Sequence, residues 1–127
     1  MQYRTLGKTG IKVSRLCFGS LTVGPCQADL NADAAGEIIA YALSLGVNFI
    51  DTAQLYKTYP HIRRGLELAG CPDAVIASKT YAYTAETARA AVDENAHGGE
   101  SFMPGCRIPP APLGDTGQVG YITRLRL

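Results

Sequence analysis

Three short apolar runs, at residues 16–18, 47–50 and 75–77, recur along the chain, and each is followed by turn residues and then by a segment of helical periodicity. The repeat is about 30 residues, the length of one strand-plus-helix unit. A chain patterned this way has few options: its successive strands lie parallel and are joined by right-handed helical crossovers. The first run stops at Gly19-Ser20, the second at Asp51 and the third at Ser78-Lys79. Functional groups in such repeats collect at the carboxyl ends of the strands, where the loops open.

The helical segments carry their own punctuation. Ala35, Ile38, Ile39, Ala42 and Leu43 fall on one helical face, with Asn31 or Asp33 available as a cap and Gly46 as a stop. Ile62, Gly65, Leu66 and Ala69 mark a second helix, opened by Pro60 and closed by Gly70. Thr84 is placed to cap a third, whose apolar side is Ala85, Ala88 and Val92. Ahead of the repeat, residues 3–6 and 11–13 alternate as strands around Gly7-Lys8-Thr9-Gly10, which reads as a hairpin turn. Gly7-Lys8-Thr9 is not a phosphate-binding loop, because that motif needs a glycine five positions earlier, where Gln2 stands.

The pattern collapses after Asn95. Residues 95–127 hold six glycines and four prolines, and the fourth strand falls due at residues 103–110, where Pro104, Gly105, Pro109 and Pro110 oppose it. The expected division is therefore residues 1–94 as the structured part and 95–127 as an irregular tail, disordered or out of frame. Val119, Tyr121, Ile122, Leu125 and Leu127 suit either a short terminal strand or a chance apolar cluster. Pro109 to Pro112 fits a PxxP peptide only weakly.

Composition excludes several classes. A net charge of +1 with scattered basic residues gives no footprint for nucleic acid. No apolar run approaches the roughly 20 residues of a membrane helix, and the N-terminus lacks the apolar core of a secretory signal. Cys17, Cys26, Cys71 and Cys106 form no CxxC pair and have no histidines at zinc spacing, so no metal site is expected. Reduced thiols in a cytoplasmic protein are the reading that follows.

Asp51, Tyr56 and Lys79 together suit carbonyl reduction. A phenol is a weak acid near neutrality, an ammonium beside it favours the phenolate, and a carboxylate keeps the ammonium charged. No side chain supplies a hydride, so the chemistry needs a cofactor. Each residue also has an ordinary reading: Asp51 as a turn or cap residue, Lys79 as a solvated charge, Tyr56 as packing. Tyr81 and Tyr83 suit either a carbonyl pocket or packing under the third helix, the second being favoured, and His61 and His97 read as surface residues.

At these residues the sequence resembles the aldo-keto reductase family. Residues 3–14 are similar to its N-terminal hairpin, and Leu16-Cys17-Phe18-Gly19-Ser20 to its first barrel strand. Asp51-Thr52-Ala53-Gln54-Leu55-Tyr56 resembles its DTAxxY motif, and Val75-Ile76-Ala77-Ser78-Lys79 the strand with the active-site lysine. The resemblance covers residues 3 to about 94. It implies an α/β chain forming the N-terminal part of a (β/α)8 TIM barrel, about three βα units behind a β-hairpin. It implies reduction of aldehydes or ketones by NADPH or NADH, with Asp51, Tyr56 and Lys79 catalytic and Gly19, Ser20, Leu21 and Asp51 near the cofactor.

The family's fourth catalytic member, a histidine at the end of the next strand, has no counterpart where Ile108-Pro109-Pro110-Ala111 stands. A closed eight-stranded barrel takes about 250 residues. Impaired activity is accordingly expected, and open sheet edges invite self-association. The alternatives are a non-catalytic fragment that associates through its sheet edge and a small open α/β domain with a binding function of its own.

Overall fold

The chain begins with an antiparallel hairpin, β1 (Tyr3–Thr5) and β2 (Lys12–Ser14), whose turn uses the left-handed backbones of Gly7 and Gly10. This is a computed structural model that describes residues 1–70, 73–97 and 119–124. Three parallel strands follow: β3 (Phe18–Gly19), β4 (Phe49–Asp51) and β5 (Val75–Thr80). Helices α1 (Ala32–Ser44) and α2 (Tyr59–Leu68) make the two crossovers, and α3 (Ala85–His97) follows β5. This is the N-terminal part of a (β/α)8 barrel, and its sheet of order β3-β4-β5-β6 is not closed on itself among the described residues.

The helix ends are chemically explained. Asn31 Oδ1 accepts from the Ala34 amide at 2.9 Å and caps α1, and Gly46 leaves that helix at φ +86. Pro60 occupies the first turn of α2, where its missing N–H costs nothing, and Gly70 follows at φ +72. Thr84 Oγ1 accepts from the Thr87 amide at the start of α3.

Packing divides the sheet between its two faces. Ile50 and Ile76, level with Phe18, point to the helices and form the core with Ile39, Tyr59, Ile62, Leu66 and Ala74. The alternate residues Gly19, Asp51, Ala77 and Lys79 share the other face. At the amino end of the sheet Asn48 fastens the hairpin, its Oδ1 accepting from the Ser14 amide at 2.7 Å and its Nδ2 donating to the Lys12 carbonyl. Tyr3 adds a hydroxyl bond to the Gly46 carbonyl.

Helix α1 is rotated from the expected face. Ile38 is exposed while Gly36 is buried, because α1 and α2 approach through two glycines. A Cβ on Gly65 would stand 2.5 Å from Ile39 Cγ2 and 3.2 Å from the Gly36 carbonyl oxygen. Gly36 in turn lies under the stem of Arg64, whose Nε donates to Asp33 Oδ1 across the pair. In α3, among the residues whose side chains are described, Ala91 is buried, Ala88 half-buried and Ala85 exposed; the side chain of Val92 lies outside the described residues. Leu16 and Cys17 are exposed, and the first barrel strand begins only at Phe18.

The tail contributes a strand. β6 (Val119–Arg124) pairs antiparallel with β5 along its whole length, from Val75↔Arg124 to Thr80↔Val119. Of the two readings open for residues 119–124, the structure shows the strand, and the β5 edge expected to be open is covered. The fourth strand expected at residues 103–110, the PxxP segment, Cys71 and Cys106 lie outside the described residues.

The helix contact yields a test. Alanine at position 65 gains about 1 kcal/mol of helix propensity, but overpacking costs typically about 1–3 kcal/mol. Gly65→Ala should therefore lower the urea midpoint, and a raised midpoint would show that the helices can separate freely.

Candidate active site

Strand register assembles the site. Gly19 stands level with Asp51, and Asp51 with Ala77; Lys79 lies two residues further along β5 and so on the same face. From there its Nζ reaches Asp51 Oδ1 at 2.6 Å. The pair is partly exposed, with 32% of the Lys79 side chain and 43% of that of Asp51 accessible.

Tyr56 ends a 3-10 turn (Gln54–Tyr56) that directly follows β4. The Lys79 ammonium lies over its ring, 5.4 Å from the centroid, within range of a cation–π contact. Among the described residues the Tyr56 hydroxyl has no hydrogen-bond partner. The three residues singled out in the sequence thus meet in space as carboxylate, ammonium and ring.

Residues expected near a cofactor divide. Gly19 is exposed at the carboxyl end of β3, and a Cβ built there meets nothing within 4 Å among the described residues, which leave open ground beside Asp51. Leu21 is half-buried in the 3-10 turn Ser20–Val23. Ser20 is fully buried, with its hydroxyl 2.7 Å from that of Thr58. Thr58 also lies 2.9 Å from Thr52 Oγ1, which makes a chain of three buried hydroxyls behind the site.

Sequence reading missed this chain, since a threonine just before a Tyr-Pro helix start reads simply as a cap. It also placed His61 on the surface. His61 is 8% exposed, and its Nε2 lies 2.8 Å from the Leu30 carbonyl, fastening the loop before α1 to α2. Tyr83 is 89% exposed, so it is not packed under α3. Tyr81 lines an open cleft of about 550 Å³ between the Gln54–Tyr56 turn and α3. Asp51, Tyr56 and Lys79 do not line that cleft.

Cys17 lies next to the site. Although the residue as a whole is exposed, partial burial of its thiol, and after it the Asp51 carboxylate, push the thiol from 9.0 up to about 11, while a hydrogen bond with the Asp51 backbone and then Lys79 draw it partly back.

Residues 15–97 match the aldo/keto reductase family, and the chain belongs to it. An L-galactose dehydrogenase of Arabidopsis thaliana is 30% identical over 106 residues, covering 75% of this chain and 33% of that protein. An uncharacterized oxidoreductase, YrpG, of Bacillus subtilis is 43% identical over 56 residues, 44% of this chain and 16% of its own length. A probable voltage-gated potassium channel subunit beta of Arabidopsis thaliana is equally similar over 56 residues. The chain spans between 16% and 33% of the length of these relatives.

The raised thiol predicts slow chemistry at Cys17. Only the thiolate alkylates, and two pH units correspond to a hundredfold, reduced here because the residue is partly open to solvent. Iodoacetamide labelling near pH 8, read by peptide mass spectrometry, should be roughly tenfold to a hundredfold slower than for an ordinary thiol. Asp51→Asn removes a charge that raises the thiol and should speed it. Unchanged labelling in that variant would remove Asp51 as a cause.

Proposed function

We propose that this chain carries the proton-donating part of an NAD(P)H-dependent reductase of small aldehydes or ketones. The observation that supports the reading best is the Asp51–Lys79 pair set against the Tyr56 ring at the ends of adjacent parallel strands. In this reading the uncommitted Tyr56 hydroxyl donates its proton to the carbonyl oxygen as that oxygen gains charge. Lys79 faces the phenolate left behind, and Asp51 holds the ammonium in place. General acid catalysis of this kind is worth about 10²- to 10⁴-fold.

The family's nicotinamide cofactor, when bound, supplies the hydride. The open ground over Gly19 fits a flat ring approaching the backbone beside Asp51, with Leu21 on the adjoining turn. The buried Ser20 serves this surface by holding the turn rather than by touching a ligand.

Turnover by this chain alone is expected to be low. The resemblance assigns a histidine to the strand beside the lysine-bearing one, whereas the strand beside β5 is antiparallel and sets Gly120 opposite Lys79. NADPH oxidation with a panel of simple aldehydes and ketones tests the reading. Any turnover should fall about 10²-fold or more in Tyr56→Phe and in Lys79→Met. A rate that Tyr56→Phe leaves unchanged would sink the proton-donor assignment, and a melting temperature unmoved by NADPH would remove the cofactor from this chain.

A further inference from the structure

We propose that Thr58 is a positioning residue, whose buried hydroxyl sets the place of Tyr56 by tying together the loops that leave β3 and β4. The inference rests on the reading of Tyr56 as proton donor only for its functional meaning; the geometry stands separately.

Thr58 follows Tyr56 by two residues and sits at the N-cap of α2, where a threonine hydroxyl ordinarily accepts from an amide of the first turn. Here it makes no such bond. Its Oγ1 instead lies 2.7 Å from Ser20 Oγ and 2.9 Å from Thr52 Oγ1, and all three residues are 0% exposed. A hydroxyl carries one proton, so Thr58 donates to at most one of these neighbours and accepts from at least one. One side chain therefore joins the turn after β3, the end of β4 and the start of α2.

The backbone between the two residues supports the same role. Lys57 adopts φ +56, a left-handed conformation that a residue with a Cβ enters only where its surroundings hold it. That reversal sends Thr58 into the interior while Tyr56 stays half-exposed. Gly24 closes the arrangement from the other side. A Cβ there would collide with the Thr58 methyl group and stand 3.1 Å from the Tyr56 carbonyl oxygen. The turn beside the open ground at Gly19 and the turn bearing Tyr56 are thus packed through Thr58, and displacing its hydroxyl displaces both.

A threonine that only stabilised the core would lower the melting temperature and leave the folded site unchanged. Tyrosine labelled with ¹³C at Cζ separates the two roles in the 127-residue protein. The Tyr56 resonance is assigned by its loss in Tyr56→Phe. Thr58→Val keeps the shape and removes the hydroxyl, and the Tyr56 signal should shift or broaden well below the melting temperature. Thr58→Ser, which keeps the hydroxyl, should restore the wild-type signal.

A folded Thr58→Val protein with a lowered melting temperature and an unmoved Tyr56 signal would overturn the proposal. Should Thr58→Val not fold, Thr52→Val and Ser20→Ala each remove one partner, and an unmoved signal in both overturns it equally. Lys79→Met is read apart from these. If it leaves the Tyr56 signal in place, Lys79 does not act on the phenol and the lysine's part in the proton-donor reading fails, while Thr58 is still judged by its own variants.

Discussion

Parallel register between β3, β4 and β5 is the constraint on which the rest depends. Alternation along a strand gives successive side chains to opposite faces, so one register serves two purposes. Ile50 and Ile76 reach the helices on one face, and Gly19, Asp51 and Lys79 reach each other on the opposite one. A slip of one residue would turn the carboxylate and the ammonium into the core and the isoleucines into solvent. The apolar core thereby holds the geometry of the polar site, although none of its residues belongs to the site.

The Asp51–Lys79 pair contributes little stability of its own. Both side chains keep 32% or more of their surface in water, and exposed pairs are typically worth about 0.2–1 kcal/mol. The same holds for the Arg63–Glu67 and Arg64–Asp33 pairs on the helices. What the pair supplies is orientation: a short bond fixes the ammonium over the Tyr56 ring. Stability lies instead in the close helix contact at Gly36 and Gly65 and in the buried side chains around Ile39, Ile62 and Leu66.

Local chemistry made much of this architecture legible in the sequence. Asn31, Gly46, Pro60 and Gly70 mark helix ends because capping, left-handed backbone and proline geometry are properties of single residues. The meeting of Asp51, Tyr56 and Lys79 followed from the strand-end rule and the family motifs. Features that depend on contacts between elements were not legible. Ile38 has the right period to be buried, yet the glycine contact rotates α1 and exposes it. His61 looks like a surface residue until the loop before α1 folds over it. Thr58 has the place of a cap, and only the tertiary arrangement shows that its hydroxyl is used elsewhere.

Strand β6 shows how an edge and a site can be reconciled. An uncovered β5 would present a row of unpaired amides and carbonyls, the usual template for association. β6 occupies that row over all six residues. Because it runs antiparallel, the register that covers the edge also decides what lies beside the lysine, and Gly120 is level with Lys79. A glycine adds no side chain to the face that Lys79 shares with Asp51. The register that satisfies the edge therefore brings no β6 side chain level with the lysine.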